Sequence, residues 1–447
     1  MDRVTGIHSA DALLPDGWHK AVRVEMAGGR IVKVEVGAKP RPDDERVALL
    51  VPGMANLHSH AFQRGMAGLA ERRGPVDDSF WTWREVMYRF VGHLSPEDFE
   101  AIAAQAYIEM LEAGFTRVGE FHYLHHGTDG GAYSDIGEMS GRVASAAEAS
   151  GIGLTLLPVF YAQGGFGGKP PGAAQARFIS NPDFYGRLLE RCRAVAAKLD
   201  GAIVGIAPHS LRAVSPEQLA AILPLAGSGP VHIHIAEQVK EVEDCLAWSG
   251  KRPVEWLFDN APVDHRWCLV HATHMTEAET KAFARSGAVA GLCPITEANL
   301  GDGLFSLEAF RQGGGTYGVG SDSNVRIDQA EELRLLEYGQ RLLRRVRNVA
   351  APGPGRSTGR ALFDAALTGG AQALGTVAGI EAGNSADLVS LTADHAEDDA
   401  LDHFIFAQGK VSEVWCQGRK RVSEGRHLAR GAVSTRFQAT LRKVLAQ

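Results

Sequence analysis

Short apolar runs recur through the middle of this chain, and their number restricts the fold more than any other feature. Eight occur in order: Leu50–Leu57, Phe115–Phe121, Ile152–Phe160, Ala202–Ala207, Val231–Ile235, Trp267–Val270, Ala288–Cys293 and Thr316–Gly320. Helical patterns separate most of them, such as Ser95–Ala113 and Thr276–Arg285. Ser95-Pro96-Glu97-Asp98 supplies an N-cap serine, a proline at the first helical position and acids in the first turn, and Ser215-Pro216-Glu217 repeats it. Eight strands alternating with helices predict an α/β fold, a (β/α)8 TIM-type barrel. An open doubly wound sheet is the alternative, and the strand count favours the barrel.

The two ends read differently. Val22–Met26 and Ile31–Val36 alternate apolar and polar residues around Ala27-Gly28-Gly29-Arg30, a hairpin pattern. Ala386–Leu391 and Val411–Cys416 have the same texture. We therefore expect a small β-sandwich-like domain formed from both termini, residues 1–50 plus 376–447 with a C-terminal helix, beside a catalytic barrel over 51–375. The Gly-rich segment Gln163–Ala174 follows the third barrel strand. It is not a phosphate loop, because Gly168-Lys169 precedes Pro170 rather than Ser or Thr.

Charge and cysteine usage exclude several classes. A net charge of −7 lacks the basic footprint of nucleic-acid binding. An anionic substrate would need dedicated arginines. The five cysteines are odd in number and widely spaced, without a Cys-x-x-Cys pair, which argues against a disulfide framework and fits a reducing compartment. The opening Met-Asp-Arg-Val-Thr-Gly lacks a signal-peptide pattern, and no run of ~18 apolar residues could span a membrane. The expectation is a cytoplasmic protein without membrane or nucleic-acid partners.

Polar residues at strand ends carry the chemistry. In Leu57-His58-Ser59-His60, residues two apart on a strand share a face, so both histidines can meet one metal. Val231-His232-Ile233-His234-Ile235-Ala236-Glu237, Val270-His271 and Gly320-Ser321-Asp322-Ser323 place further histidines and a carboxylate at the C-terminal ends of other strands, the catalytic face of a barrel. Three histidines and one carboxylate suit a single divalent ion, most simply Zn2+, with Fe2+ or Mn2+ as alternatives.

With Pro52-Gly53, His271-Ala272-Thr273-His274 and Cys293-Pro294 added, these strings resemble the amidohydrolase superfamily over nearly the whole chain. The resemblance implies that His58, His60, His234 and Asp322 hold the metal, that His271 polarises, and that Glu237 shuttles a proton. His232 competes with His234; the family spacing to Glu237 selects His234. Gly201–Pro208 offers no Lys or Glu to bridge a second metal, which resembles the single-metal deaminase branch. Its chemistry is attack of metal-bound hydroxide on an sp2 carbon bearing nitrogen, with release of ammonia and with Asp322 taking the water's proton.

Longer strings sharpen this. His58–Gly65, Ser79–Glu85, Gly119–His125, Ala207–Arg212 and Pro294–Gly303 together are similar to the formimidoylglutamate deiminases, enzymes of histidine degradation. That implies N-formimino-L-glutamate as substrate, N-formyl-L-glutamate and ammonia as products, and a homodimer. Arg84 and Arg212 would each form a bidentate pair with a substrate carboxylate; Gln63, Tyr123 and His209 would complete the pocket. Trp81 and Trp83 are expected to pack the Arg84 segment. Arg64, His122, His125 and His126 receive no role, and Cys293 reads as a small buried hydrophobe. The rivals are a deaminase of guanine, cytosine or an adenosine derivative, an imidazolone-ring hydrolase, and a barrel that has lost its chemistry; the last is disfavoured because all four ligands are present.

Overall fold

A computed structural model describes residues 5–74, 78–392, 399–407 and 409–446. The first four residues, which open the leader argument above, lie outside these. Strands β1 (Thr5–Leu14), β2 (Gly17–Ala27), β3 (Arg30–Glu35) and β4 (Glu45–Pro52) come first. The barrel strands follow: β5 (Met54–Ser59), β6 (Phe115–His122), β7 (Gly153–Phe160), β8 (Ile203–Val204), β9 (Ala207–Pro208), β10 (Val231–Ile235), β11 (Trp267–His271), β12 (Val289–Leu292) and β13 (Thr316–Val319). The chain closes with β14 (Leu388–Leu391), β15 (Val411–Cys416), β16 (Arg419–Ser423), β17 (Arg426–His427) and a helix over Arg430–Val444.

Neighbouring barrel strands pair in parallel in chain order. Bridges at Ile206–Val231 and Ser210–His234 join the two halves, and Ser59–Asp322 closes the ring between its first and last strands. The buried strands β6, β7, β10 and β11 carry no exposed residue, which is why they read as unbroken apolar runs rather than alternating ones. Two expectations are corrected. Leu50–Leu57 is not one strand: it spans the end of β4 and the start of β5, divided at Gly53, whose N–H donates to the Asp387 carbonyl. Both pieces are buried, so hydropathy carries straight across the break. Ala202–Ala207 is likewise split, into the two short strands β8 and β9.

The helix starts follow their caps. Ser95, Ser215 and Thr276 each accept from a backbone N–H of the first turn in reciprocal capping boxes. The terminal strands form one sheet in the order β17-β16-β15-β14-β4-β1-β2-β3. Its β2–β3 hairpin turns on Gly28-Gly29, both at positive φ, as a tight two-residue turn requires. The sheet curls back on itself, with Ile31 exchanging backbone hydrogen bonds with Gly383 and Asn384 ahead of β14. Ile7, Val24, Leu50 and Trp415 fill the space inside the curl, while Leu49, Val51 and Val414 face the barrel core. Lys443 of the last helix pairs with Asp98 at 2.7 Å, seating that helix on Pro96–Glu112.

One contact sets a limit on the barrel wall. The helix Thr358–Ala373 crosses β13 so closely that a Cβ at Gly369 would lie 1.9 Å from the Tyr317 carbonyl oxygen. Gly369→Ala is expected to cost about 3 kcal/mol, because neither backbone can move without disturbing the wall. Chemical denaturation of variant and parent checks this; equal midpoints would remove the constraint.

Candidate active site

The proposed ligands come from four places and meet at the C-terminal mouth. His58 and His60 lie at the end of β5, His234 in β10 and Asp322 just beyond β13. Their donor atoms all lie within 4.8 Å of one another. His58 Nε2 is 3.0 Å from His234 Nε2, and Asp322 Oδ1 is 3.4 Å from His58 Nε2 and 3.3 Å from His60 Nε2. Donors at about 2.0–2.1 Å around a tetrahedral ion are roughly 3.3 Å apart, so the group has the dimensions of a divalent site. Hydrogen bonds orient the rings: His60 Nδ1 lies 2.9 Å from the Phe121 carbonyl and His234 Nδ1 lies 3.1 Å from the His209 carbonyl. An N–H donated there leaves each Nε2 lone pair facing the centre. Burial lowers all three imidazoles, His58 to about 3, which keeps them neutral and able to ligate. Burial alone would raise the Asp322 carboxyl, but His58, His60 and His271 outweigh it and hold it below the usual carboxylate range. The donor set fits one divalent cation.

His232 is not part of this group. It sits two residues back on β10, with Nε2 at 2.7 Å from the Ala373 carbonyl.

Backbone shape supports the mouth. Ala236, His271, Ala272, Asp322 and Asn324 all have positive φ, uncommon for residues with a Cβ. Left-handed residues gathered at strand ends are the strain that binding sites tend to hold. Asp322 is tied on both sides, donating its N–H to the His58 carbonyl and accepting the His60 N–H, each at 2.9 Å. The Asn324 side-chain amide, 3.1 Å from the His60 carbonyl and 3.0 Å from that of Asp322, spans the same seam.

Glu237 and His271 stand beside the donors. His271 Nε2 is 3.9 Å from Glu237 Oε1 and 3.8 Å from Asp322 Oδ2, and its Nδ1 is 3.2 Å from Glu297 Oε1. Burial opposes its charge, but the carboxylates of Glu237, Glu297 and Asp322 prevail and raise it to about 10. Burial raises Glu237 above the usual carboxylate range, against the pull of His271 and Arg212. Sequence reasoning gave Glu297 no role. Its signal was available: Cys293-Pro294 with an acid at Glu297 is a helix start, and Glu297 Oε1 accepts the Cys293 N–H at 2.9 Å while facing His271. Glu120 was missed too; its Oε1 accepts the Ala61 N–H at 2.8 Å and props the turn after His60.

One cavity joins the group to the substrate residues expected from sequence. Gln63, Arg84, Tyr123, His209 and Arg212 line it with His60, His234, Glu237, His271 and Asp322, and His58 lies behind them. Gln63 Nε2 donates to the Tyr123 hydroxyl at 3.0 Å. The Nε atoms of Arg84 and Arg212 are buried without a hydrogen-bond partner, and among the described residues neither guanidinium pairs with a carboxylate. Trp83 lines the cavity, which corrects its assignment to packing alone. Arg64 pairs with Glu109, and His125 and His126 bond to the carbonyls of Val159 and Ile179, so these are framework. His122 is buried edge-on to Phe99 at 5.3 Å, and Cys293 packs with Leu57 and Cys268. No residue of 163–174 lines the cavity; Phe166 stacks on Trp248 at 5.5 Å.

A barrel with three histidines and an aspartate converging at its mouth has the architecture of metal-dependent hydrolases. Residues 49–421 match the model of the amidohydrolase family, and residues 4–48 match that of the formimidoylglutamate deiminase HutF N-terminal domain. The chain belongs to the amidohydrolase family. It is 51% identical to a formimidoylglutamate deiminase of Pseudomonas aeruginosa over 99% of this chain and 100% of that one. A 5-methylthioadenosine/S-adenosylhomocysteine deaminase of Natronomonas pharaonis is 30% identical, over 86% and 84%. Among solved structures, an amidohydrolase from Brucella melitensis superposes with a TM-score of 0.97 at 56% identity, covering 99% of this chain and 100% of that one.

Proposed function

We infer that this protein hydrolyses N-formimino-L-glutamate to N-formyl-L-glutamate and ammonia, a step of histidine degradation. The full-length likeness to a formimidoylglutamate deiminase and the match to the corresponding N-terminal domain support the reaction. The observation that carries the substrate is local: two guanidiniums without carboxylate partners share a cavity with the metal-donor group.

In this reading His58, His60, His234 and Asp322 hold one ion, taken as Zn2+ because the donors are nitrogen-rich and roughly tetrahedral in spacing. When bound, that ion supplies Lewis-acid polarisation and a water acidic enough to attack near neutral pH. Arg84 and Arg212 grip the two carboxylates and place the formimino carbon at the mouth, helped by Gln63, Tyr123 and His209. Asp322 accepts a proton from the attacking water. His271, charged and held by Glu297, stabilises negative charge as it develops on the oxygen. Glu237 gives a proton to the formimino nitrogen, so that it leaves as NH3 rather than NH2−. The formimino group enters as a cation, so this one proton suffices; as the carbon–nitrogen bond breaks, the hydroxyl proton returns to Glu237, the carbon–oxygen bond becomes the carbonyl of N-formyl-L-glutamate, and Asp322 releases its proton to solvent. A homodimer in the cytoplasm completes the reading; five cysteines that are all buried and unpaired support a reducing compartment, and no described helix is long and apolar enough to cross a membrane.

The test is ammonia release from N-formimino-L-glutamate by metal-loaded protein, with guanine and cytosine as controls. Arg84→Met and Arg212→Met are each expected to lower kcat/KM at least tenfold, mostly through KM, since each loses a charge-assisted pair. Wild-type kinetics in both variants would refute the carboxylate clamp. Release from a nucleobase instead would keep the metal site and discard the pocket assignment.

A further inference from the structure

The two guanidiniums of the cavity reach it from different parts of the chain and share one aromatic ring. The Cζ of Arg84 lies 4.6 Å from the ring centre of Trp81, and that of Arg212 lies 5.6 Å from the same ring. Trp81 does not itself line the cavity. It is the second residue of the helix Phe80–Gly92, whose start is fixed by a reciprocal cap. The Trp81 N–H donates to Ser79 Oγ at 3.3 Å, and the Ser79 N–H donates to Thr82 Oγ1 at 3.0 Å. Phe80 meets the indole edge-on at 5.1 Å. Two like charges near one another repel, and the Nε of each is buried without a hydrogen-bond partner, although Glu241 and Glu237 attract Arg212 from a distance. The negative face of the indole attracts both.

Resting on the dicarboxylate reading given above, we propose that Trp81 is a positioning residue that sets the separation of Arg84 and Arg212 and thereby selects the length of the dicarboxylate the site accepts. A guanidinium is a rigid fork, so its place determines where a carboxylate must lie. Arg84 also lies 5.5 Å from the ring centre of Tyr88, but Trp81 is the ring it shares with Arg212, so the two forks can be no further apart than their distances from Trp81 laid end to end. The four-carbon homologue of the substrate is shorter by one methylene, roughly 1.3 Å along an extended chain. It can satisfy both forks only by withdrawing its formimino carbon from the mouth. A misplacement of about 1 Å can cost ~100-fold in rate.

The experiment compares kcat/KM for N-formimino-L-glutamate and N-formimino-L-aspartate in metal-loaded wild type, Trp81→Leu and Trp81→Phe. Wild type should prefer the five-carbon substrate by about 100-fold. Trp81→Leu should raise KM for that substrate about 30-fold, change kcat less than threefold, and narrow the preference about tenfold, because the forks lose their common anchor. Trp81→Phe, with a weaker ring face, should narrow it about threefold. An unchanged ratio of the two kcat/KM values in Trp81→Leu overturns the proposal, however much activity falls, since that is what a purely structural indole would give. Should Trp81→Leu fail to fold, the ratio in Trp81→Phe decides in the same way. If wild type turns over neither compound, the dicarboxylate reading fails and the proposal with it; that outcome appears in the parent protein, before any variant is compared.

Discussion

Glu237→Gln is expected to lower kcat for N-formimino-L-glutamate about 10^3-fold while leaving the metal in place. Glu237 is not one of the four clustered donors, so its amide should not disturb them. It stands 3.9 Å from His271 Nε2 at the edge of the cavity, where a leaving nitrogen can reach it. Burial raises its carboxyl, so the group keeps its proton at a pH where an ordinary glutamate has lost it. The sign for catalysis follows: the acid form is present below the raised value and disappears as pH climbs through it. Wild-type kcat should therefore fall on the alkaline side, and the residual activity of the glutamine variant should lack that limb. Metal content with ammonia release across pH checks both parts. Turnover at the wild-type level in the variant would remove Glu237 from the reaction.

Asp322→Asn should cost still more, about 10^4-fold, because one side chain serves twice. Its carboxylate is the only anionic donor in the group, and in the proposed reaction it also accepts the water's proton. An amide keeps the shape and loses both charge and basicity. Three imidazoles hold the native carboxyl below the usual range, so it stays ionised through neutral pH. Replacing it should weaken metal retention on dialysis against a chelator as well as turnover in excess metal. Undiminished retention together with more than a hundredth of the parent activity would show that Asp322 does neither job.

Much of this architecture is legible in the sequence because barrel strands are short, buried on both faces and ended by polar residues. β10 matches its apolar run residue for residue, and the helix beginning at Ser95 announces itself through its cap. The break at Gly53 was not legible, because burial is continuous across two strands of different sheets. The residues proposed as metal donors and those lining the cavity could be brought together because they fall in strings similar to a known family and at strand ends. Glu120 and Asn324 could not, and Glu297 was legible only as part of a helix start, not as the partner of His271. Each acts through a hydrogen bond to a residue made distant by the fold or the turn, and a buried glutamate looks in sequence like a solvated one. Trp81 was assigned to packing beside Arg84; that Arg212 shares the ring is a tertiary fact with no local trace.

The seam between the barrel's first and last strands has a consequence for how the protein is made. Asn324 reaches the His60 carbonyl across a separation of 264 residues, and Asp322 bonds the same strand. In the order of synthesis His58 and His60 emerge first, His234 much later and Asp322 last. A nascent chain therefore holds at most three of the four donors until the final strand has left the ribosome. If these four hold the ion as proposed, the full donor set exists only once the barrel has closed, and the bound ion would tie together two of the most widely separated parts of the catalytic unit.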